Sequence, residues 1–312
     1  MVSERKWDGT TMEARATRER GPTGERRLAL LYLAPSLIIF AIFVFYPLGR
    51  TFYLSTMGTD IIGRANKFVG LDNFTAMFGD PGFFKALGTT ALFVLFTVVP
   101  AIAGALVVVL LLESRISGQR MFRTVFALPF AFSVATASVI FALIYNPAVG
   151  MANGALSYLG VDRIGWLTEP DLALISISIT TVWMTLGYNV LVLSAGVGAI
   201  PAEVVEAARL DGATGWRLHS RITIPMLSPQ LFFLVVISTI HALQSFGQIH
   251  ILTKGGPDGA TSTLVYWIYE KAFSYGSSDF GTASAAAIVL LVIVLVCTGI
   301  QFGVLERKVH YR

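Results

Sequence analysis

The chain has 312 residues, 54% of them hydrophobic and only 13% charged, with a mean hydropathy of +0.69. Soluble domains carry about 25% charged residues, so this composition excludes an ordinary soluble protein. The net charge of +4 and the pI near 9.2 follow from basic residues beside apolar stretches, and call for a lipid bilayer but no nucleic acid as partner.

A helix needs about 20 apolar residues to cross a bilayer core. Six segments qualify, in chain order 29–49, 89–112, 124–145, 172–196, 229–252 and 282–304. The expected fold is all-α, a multi-pass membrane protein of six transmembrane helices. Residues 1–28 form a polar tail with seven Lys and Arg, expected to be disordered and to touch anionic lipid. The first apolar segment is too long for a cleaved secretory signal. The membrane domain is read as 29–304 and the C-terminal tail as 305–312. Sixteen of the twenty-three Lys and Arg lie in the two tails, the segment between spans two and three, and the loop between spans four and five. The positive-inside rule therefore puts both termini and that loop in the cytoplasm. Cys297 is the sole cysteine and lies in the last span, which leaves no intrachain disulfide.

On the outer side, residues 50–88 mix turn formers with aromatics in Phe68-Val-Gly-Leu-Asp-Asn-Phe74 and Asp80-Pro-Gly-Phe-Phe84, suiting a lid or docking ledge. A second outer turn, Lys254 to Thr261, is rich in glycine and proline. The aromatics after it, Tyr266, Trp267, Tyr269 and Phe273, read as an interfacial belt.

The cytoplasmic loop 199–228 carries the densest signal. Pro201 suits a helix start, Glu203 and Glu206 complement the positive end of its dipole, and Gly212 suits a left-handed C-terminal residue. A helix is predicted over about 201–211, with Val204, Ala207 and Ala208 as a smooth apolar face for a partner's groove. Thr214 is expected to cap a second short helix through Trp216 and Leu218, ended by Pro225 and Pro229. Taken as physics alone, docking and an ordinary surface helix stand as alternatives.

The order Glu206-Ala207-Ala208, Asp211-Gly212-Ala213, Ile222 and Pro225 resembles the signature loop of permease subunits in binding-protein-dependent ATP-binding-cassette importers. Val69-Gly-Leu-Asp-Asn-Phe74, Leu128-Pro129, Asn146-Pro147 with Gly150, and Gly255-Gly-Pro257 through Leu264 resemble the carbohydrate-uptake branch. Trp183, Tyr188-Asn189, the outer turn from Gly255 to Tyr266 and the ending Leu305 to Tyr311 are similar to the first permease of glycerol-3-phosphate and glycerophosphodiester importers. The resemblance covers the chain after residue 28.

It implies a transport subunit in the cell membrane of a prokaryote, not an enzyme. Its partners would be a second homologous permease, two copies of a cytoplasmic ATP-binding subunit and an extracytoplasmic solute-binding protein. The chain itself would hold no cofactor, ATP and Mg being bound by the partner ATPase. Glu203, Glu206, Ala207, Ala208, Asp211, Gly212 and Ala213 would be the ATPase-coupling residues. His219 stands where the family often has phenylalanine, a flat ring in either case.

Polar side chains inside spans face the bundle interior or a pathway. Span five carries His241, Gln244, Ser245 and Gln248 at helical spacing, and span four carries Trp183, Thr181, Thr185, Tyr188 and Asn189. The span-five stripe reads as a substrate pathway, joined by Trp183, Tyr188 and Asn189; the threonines read as interhelical ties. No Lys or Arg lies deep in a span, so a phosphodiester would be countered by His241, backbone amides or the second permease. A neutral sugar or oligosaccharide is the alternative solute, and an ion-coupled secondary transporter the alternative class. The spans lack the intramembrane acids expected of the latter. The chain also lacks a zinc-helix motif, a Gly-x-Ser-x-Gly turn and a phosphate-binding loop.

Overall fold

The computed structural model describes residues 22–60, 62, 64–113, 119–273 and 278–305. The chain divides into two compact units, Met1–Arg50 and Thr51–Arg312. In the first, α1 (Pro22–Phe40) leads through a π turn (Ala41–Phe45) into α2 (Tyr46–Ser55), which ends in the second unit. Helix α1 begins at Pro22, where a missing N–H costs nothing, so the expected disordered tail of 28 residues overlaps a helix. Residues 1–21 and 306–312 lie outside the described residues, and with them most of both expected tails.

In the second unit, β1 (Met57–Thr59) pairs antiparallel with β2 (Ala65–Phe68), Met57 opposite Phe68. Helix α3 (Asp72–Gly79) locks onto this ribbon: Asn73 Nδ2 donates to the carbonyls of Ser55 and Met57 at 2.8 and 2.9 Å. Helix α4 (Pro81–Glu113) follows, then α5 (Gln119–Ala127), a 3₁₀ turn (Leu128–Ala131), α6 (Val134–Ile144), α7 (Met151–Ser157) and α8 (Pro170–Gly198). The loop region holds α9 (Ala202–Leu210), α10 (Trp216–Leu218), a π turn (His219–Thr223) and α11 (Ile224–Met226). Helix α12 (Ser228–Leu243), α13 (Gly247–Leu252), α14 (Leu264–Phe273) and α15 (Phe280–Leu305) complete the chain.

Among the described residues, four segments are long and apolar enough to cross a membrane: Leu31–Ser55, Pro81–Glu113, Pro170–Gly198 and Phe280–Val304. The other two expected spans are broken. The segment 124–144 bends by 107° between Ala131 and Val134; the fifth is interrupted at Gln244–Phe246, between α12 and α13, and just before it Trp216–Met226 meets Ser228–Leu243 at 65°. Counting each bent pair as one span gives six. Pro129 and Ser133 explain the first break: proline cannot continue a helical hydrogen-bond ladder, and the Ser133 hydroxyl restarts it by accepting the Thr136 N–H at 3.1 Å.

Helices α4 and α8 form the centre, with α12 against both. Phe93, Ile177 and Ile249 are fully buried in one cluster, and Ala105, Val190, Leu193 and Leu234 in another. The end of α5 and the 3₁₀ turn press on α8 at Gly187, where a Cβ would lie 2.9 Å from the Ala127 carbonyl oxygen and 3.1 Å from Phe130 Cβ.

The expected aromatic belt is corrected in part. Tyr266 and Trp267 are buried, 4% and 6% exposed, because α14 packs against α4 and α15, with Phe83, Met77 and Leu264 around Trp267. Phe273 is exposed. The first α14 amide is satisfied from α4, Leu264 N–H donating to Thr90 Oγ1 at 2.8 Å. Lys271 reaches Asp80 at 2.8 Å, and this hydrogen bond holds the Asp80 carboxyl below its usual range.

Gly187→Val is expected to lower the thermal midpoint of the purified protein by the equivalent of about 1–3 kcal/mol. Gly88, whose Cβ would meet nothing within 4 Å, tolerates alanine. Equal midpoints for Gly187→Val and wild type would contradict the close approach.

Candidate functional site

The break at Phe132–Ser133 and a further one between α12 and α13, at Gln244–Phe246, meet at a cavity of about 530 Å³. Helix α4 supplies Thr97, Val98 and Ala101, the first break supplies Phe130, Phe132 and Val134, and α8 supplies Thr181, Met184, Thr185, Tyr188 and Asn189. Ser238, His241, Gln244, Ser245, Phe246 and Gln248 come from α12, its break and α13. No Lys, Arg, Asp or Glu is among the lining residues. Among the described residues, no group of three or more His, Cys, Asp or Glu could hold a metal ion.

The expected stripe of His241, Gln244, Ser245 and Gln248 assumed one continuous helix. That geometry is corrected: α12 ends at Leu243, and Phe246 has φ −135° and ψ −52°, outside the helical region. All four residues still line the cavity. The break is held by short-range bonds, Gln244 N–H to Ile240 O at 3.1 Å and Ser245 N–H to Ala242 O at 3.2 Å. Gln248 Nε2 donates to Ser245 Oγ and to Thr181 Oγ1 on α8 at 3.3 Å. His241 and Gln244 are exposed, whereas Ser245 and Gln248 are buried.

On α8, the Thr181 and Thr185 hydroxyls donate to the carbonyls of Ile177 and Thr181, at 2.8 and 2.9 Å. They satisfy their own helix before any neighbour. Tyr188 packs on Phe130, ring centroids 5.6 Å apart. Asn189 is 1% exposed, and neither its Oδ1 nor its Nδ2 has a hydrogen-bond partner. Trp183 is not among the cavity residues; it packs edge-on against Phe141 and beside Phe132. Sequence reasoning missed Phe130 and Phe132, which a continuous span would have scattered around a helix. Pro129 was the available signal.

The loop helix runs Ala202–Leu210, close to the expected 201–211. It ends in two bonds, Gly212 N–H to Arg209 O at 3.0 Å and Ala213 N–H to Ala208 O at 2.9 Å. Gly212 takes φ +80°, the left-handed residue this closure needs. The expected apolar face is turned partly inward: Ala208 is 8% exposed and Val204 half-buried. Glu203, Glu206, Ala207, Asp211 and Gly212 are exposed, Ala213 is half-buried, and Leu210 is 89% exposed.

The second short helix is capped by Gly215, at φ 52°, with no side-chain cap, so Thr214 does not play its expected part. The segment ends at Met226, between Pro225 and Pro229, but it passes the first of them. A π turn over His219–Thr223 carries the helix past Pro225, the wider turn accommodating a residue with no N–H to donate. His219 Nδ1 lies 3.3 Å from Glu113 Oε2 at the end of α4, with no hydrogen bond between them, which brings this segment against a central helix.

Residues 114–311 match the family model of the binding-protein-dependent transport system inner membrane component. Among relatives, the sn-glycerol-3-phosphate transport system permease protein UgpA of Agrobacterium fabrum is 36% identical over 91% of this chain and 96% of that protein. The protein of the same name from Escherichia coli O157:H7 is 34% identical over 92% and 97%. A bacterial ABC transporter involved in import of the acidic polysaccharide alginate has a chain that matches with a TM-score of 0.79 at 25% identity, covering 91% of this chain and 98% of that one. A further structure of an alginate transporter, in complex with an alginate pentasaccharide-bound periplasmic protein, also matches with a TM-score of 0.79.

Gln248→Leu removes both of the ties from α13 and strands the Thr181 and Ser245 oxygens. A stability loss of about 1–3 kcal/mol is expected, read as a lower thermal midpoint. No change would contradict the tie between α13 and α8.

Proposed function

The chain belongs to the binding-protein-dependent transport system inner membrane components, and from that premise we propose that it forms half of the translocation pathway for glycerol-3-phosphate or a glycerophosphodiester. The observation that carries the pathway is the cavity at the two helix breaks, an apolar pocket with a few convergent polar groups and ample volume for a small solute. The relatives named for sn-glycerol-3-phosphate transport support the solute class. His241, Gln244, Ser245, Gln248, Tyr188 and Asn189 are the pathway residues, with Trp183 bracing Phe132 behind them. The lack of Lys, Arg, Asp and Glu in the lining favours a second reading, a neutral sugar or oligosaccharide, for which amides and aromatics suffice.

In this proposal six spans, two of them bent, cross the membrane with both termini in the cytoplasm. The membrane domain spans 29–304 between polar tails. A second permease completes the pathway, a solute-binding protein delivers to its outer side, and two ATP-binding subunits bind ATP and Mg and do the hydrolysis. Helix α9 is the contact with one of them, through Glu203, Glu206, Ala207, Asp211 and Gly212 on its exposed side, with Ala208 and Ala213 closing it from within. ATP-driven approach of the ATPases pulls on this segment, and its contact with α4 through His219 and Glu113 carries the movement to the cavity. Binding-protein-dependent uptake of glycerol-3-phosphate by vesicles holding all partners is the test of the solute. Uptake of a neutral sugar instead would favour the second reading, and ion-driven uptake by this chain alone would defeat both.

Nothing lies within 4 Å of a Cβ at Gly212, so a side chain there is opposed within this chain only by backbone strain. Gly212→Trp is expected to abolish ATP-coupled uptake while the protein remains in the membrane. Gly212→Asn, which accepts the left-handed conformation, should retain substantially more. Normal uptake by the tryptophan variant would contradict docking at this helix.

A further inference from the structure

We propose that Asn189 reads a hydroxyl of the transported solute, and that the anionic end of the solute lies away from it. This rests on the solute reading above and deepens it.

Thr181, Thr185 and Gln248 around the cavity all have partners within the chain. Asn189 lines the same cavity at 1% exposure with both ends of its amide unpaired. A buried polar group without a partner is costly, and native structures carry few of them. The amide offers one acceptor oxygen and two N–H donors. A hydroxyl both donates and accepts, so a diol can satisfy Oδ1 and Nδ2 together. A phosphate dianion only accepts; it could take the N–H but would leave Oδ1 unpaired and facing another negative oxygen.

The charge of the lining agrees. No Lys or Arg lines the cavity, and His241, its one side chain able to become cationic, belongs to α12, so α8 supplies none of the cationic partners that a desolvated phosphate prefers. Phe130 and Tyr188 lie nearby, surfaces suited to the carbon side of a polyol. Because the amide atoms are sealed from water in this conformation, pairing requires the wall to shift. The conformation that satisfies Asn189 is then the one solute stabilises, which ties recognition to the conformational change.

The test uses the complete importer in vesicles and compares uptake of glycerol-3-phosphate with that of propyl phosphate, which keeps the charge and lacks both hydroxyls. One binding protein serves every variant, so its own preference cancels in the ratio between variant and wild type. Asn189→Leu is expected to reduce the preference for glycerol-3-phosphate by about tenfold or more, the size set by losing hydrogen bonds to a substrate hydroxyl. An unchanged preference, with uptake either normal or reduced equally for both solutes, would overturn the proposal. So would loss of the second permease from the purified complex, which would make Asn189 a subunit contact. Asn189→Asp keeps shape and acceptor and should keep the preference; loss of both phosphates alike in this variant would put the phosphate at the amide and sink the idea. Wild-type vesicles that carry a neutral sugar and neither phosphate would defeat only the solute assignment. The same ratio, taken with that sugar and its deoxy analogue, then judges Asn189 separately.

Discussion

A backbone amide or carbonyl in apolar surroundings must find a partner, and in a membrane protein that demand governs where a helix can stop. Two apolar segments of this chain stop halfway, at Phe132–Ser133 and at Gln244–Phe246. Each exposes backbone that a continuous helix would have paired internally. The Ser133 hydroxyl and the Phe132 N–H to Pro129 bond repair the first break; the bonds to Ile240 and Ala242 repair the second. Non-helical backbone at such depth is tolerated where it is buried in protein or lines a cavity, and both breaks lie on one cavity. The residues proposed for the pathway line this cavity where the helices break.

Close contact between elements makes the breaks rigid. Gly187 lets the 3₁₀ turn approach α8, and Gly247 lets α13 approach α6, where a Cβ would lie 2.9 Å from Val134 Cγ1. A cavity walled this way changes shape by moving whole elements, since close-packed interiors deform poorly. The loop helix is placed to move one of them. Its outward side is mostly charged or small, its inner side is anchored by Ala208 and Val204, and the segment after it meets α4 through His219 and Glu113. In the proposed cycle a pull at α9 arrives at a helix that walls the cavity.

Apolar length located the four long apolar helices, Leu31–Ser55, Pro81–Glu113, Pro170–Gly198 and Phe280–Val304, because a twenty-residue run needs no tertiary information. The loop helix was legible to within a residue or so, since its start and its glycine closure are local chemistry. Continuity was not legible. Hydropathy is blind to whether an apolar run is one rod or two, and Pro129 was visible without its consequence being drawn. The span-five residues were grouped correctly on a wrong geometry: the break at Gln244 turns them toward the cavity that a straight helix would also have faced. Trp183 lies outside the cavity lining, since proximity in sequence to Tyr188 and Asn189 says nothing about which side of α8 it occupies. Tyr266 and Trp267 looked interfacial because burial against α4 and α15 is a tertiary fact.

Solute protection of a cysteine at the second break tests the pathway most directly. With Cys297 replaced by serine and Gln244 by cysteine in the complete importer, a small water-soluble thiol reagent should modify the new cysteine. Transported solute, delivered by its binding protein with ATP present, should slow that modification several-fold. A cysteine at Gln244 that stays unreactive throughout the cycle, or reacts at the same rate with and without solute, would contradict a pathway through this cavity.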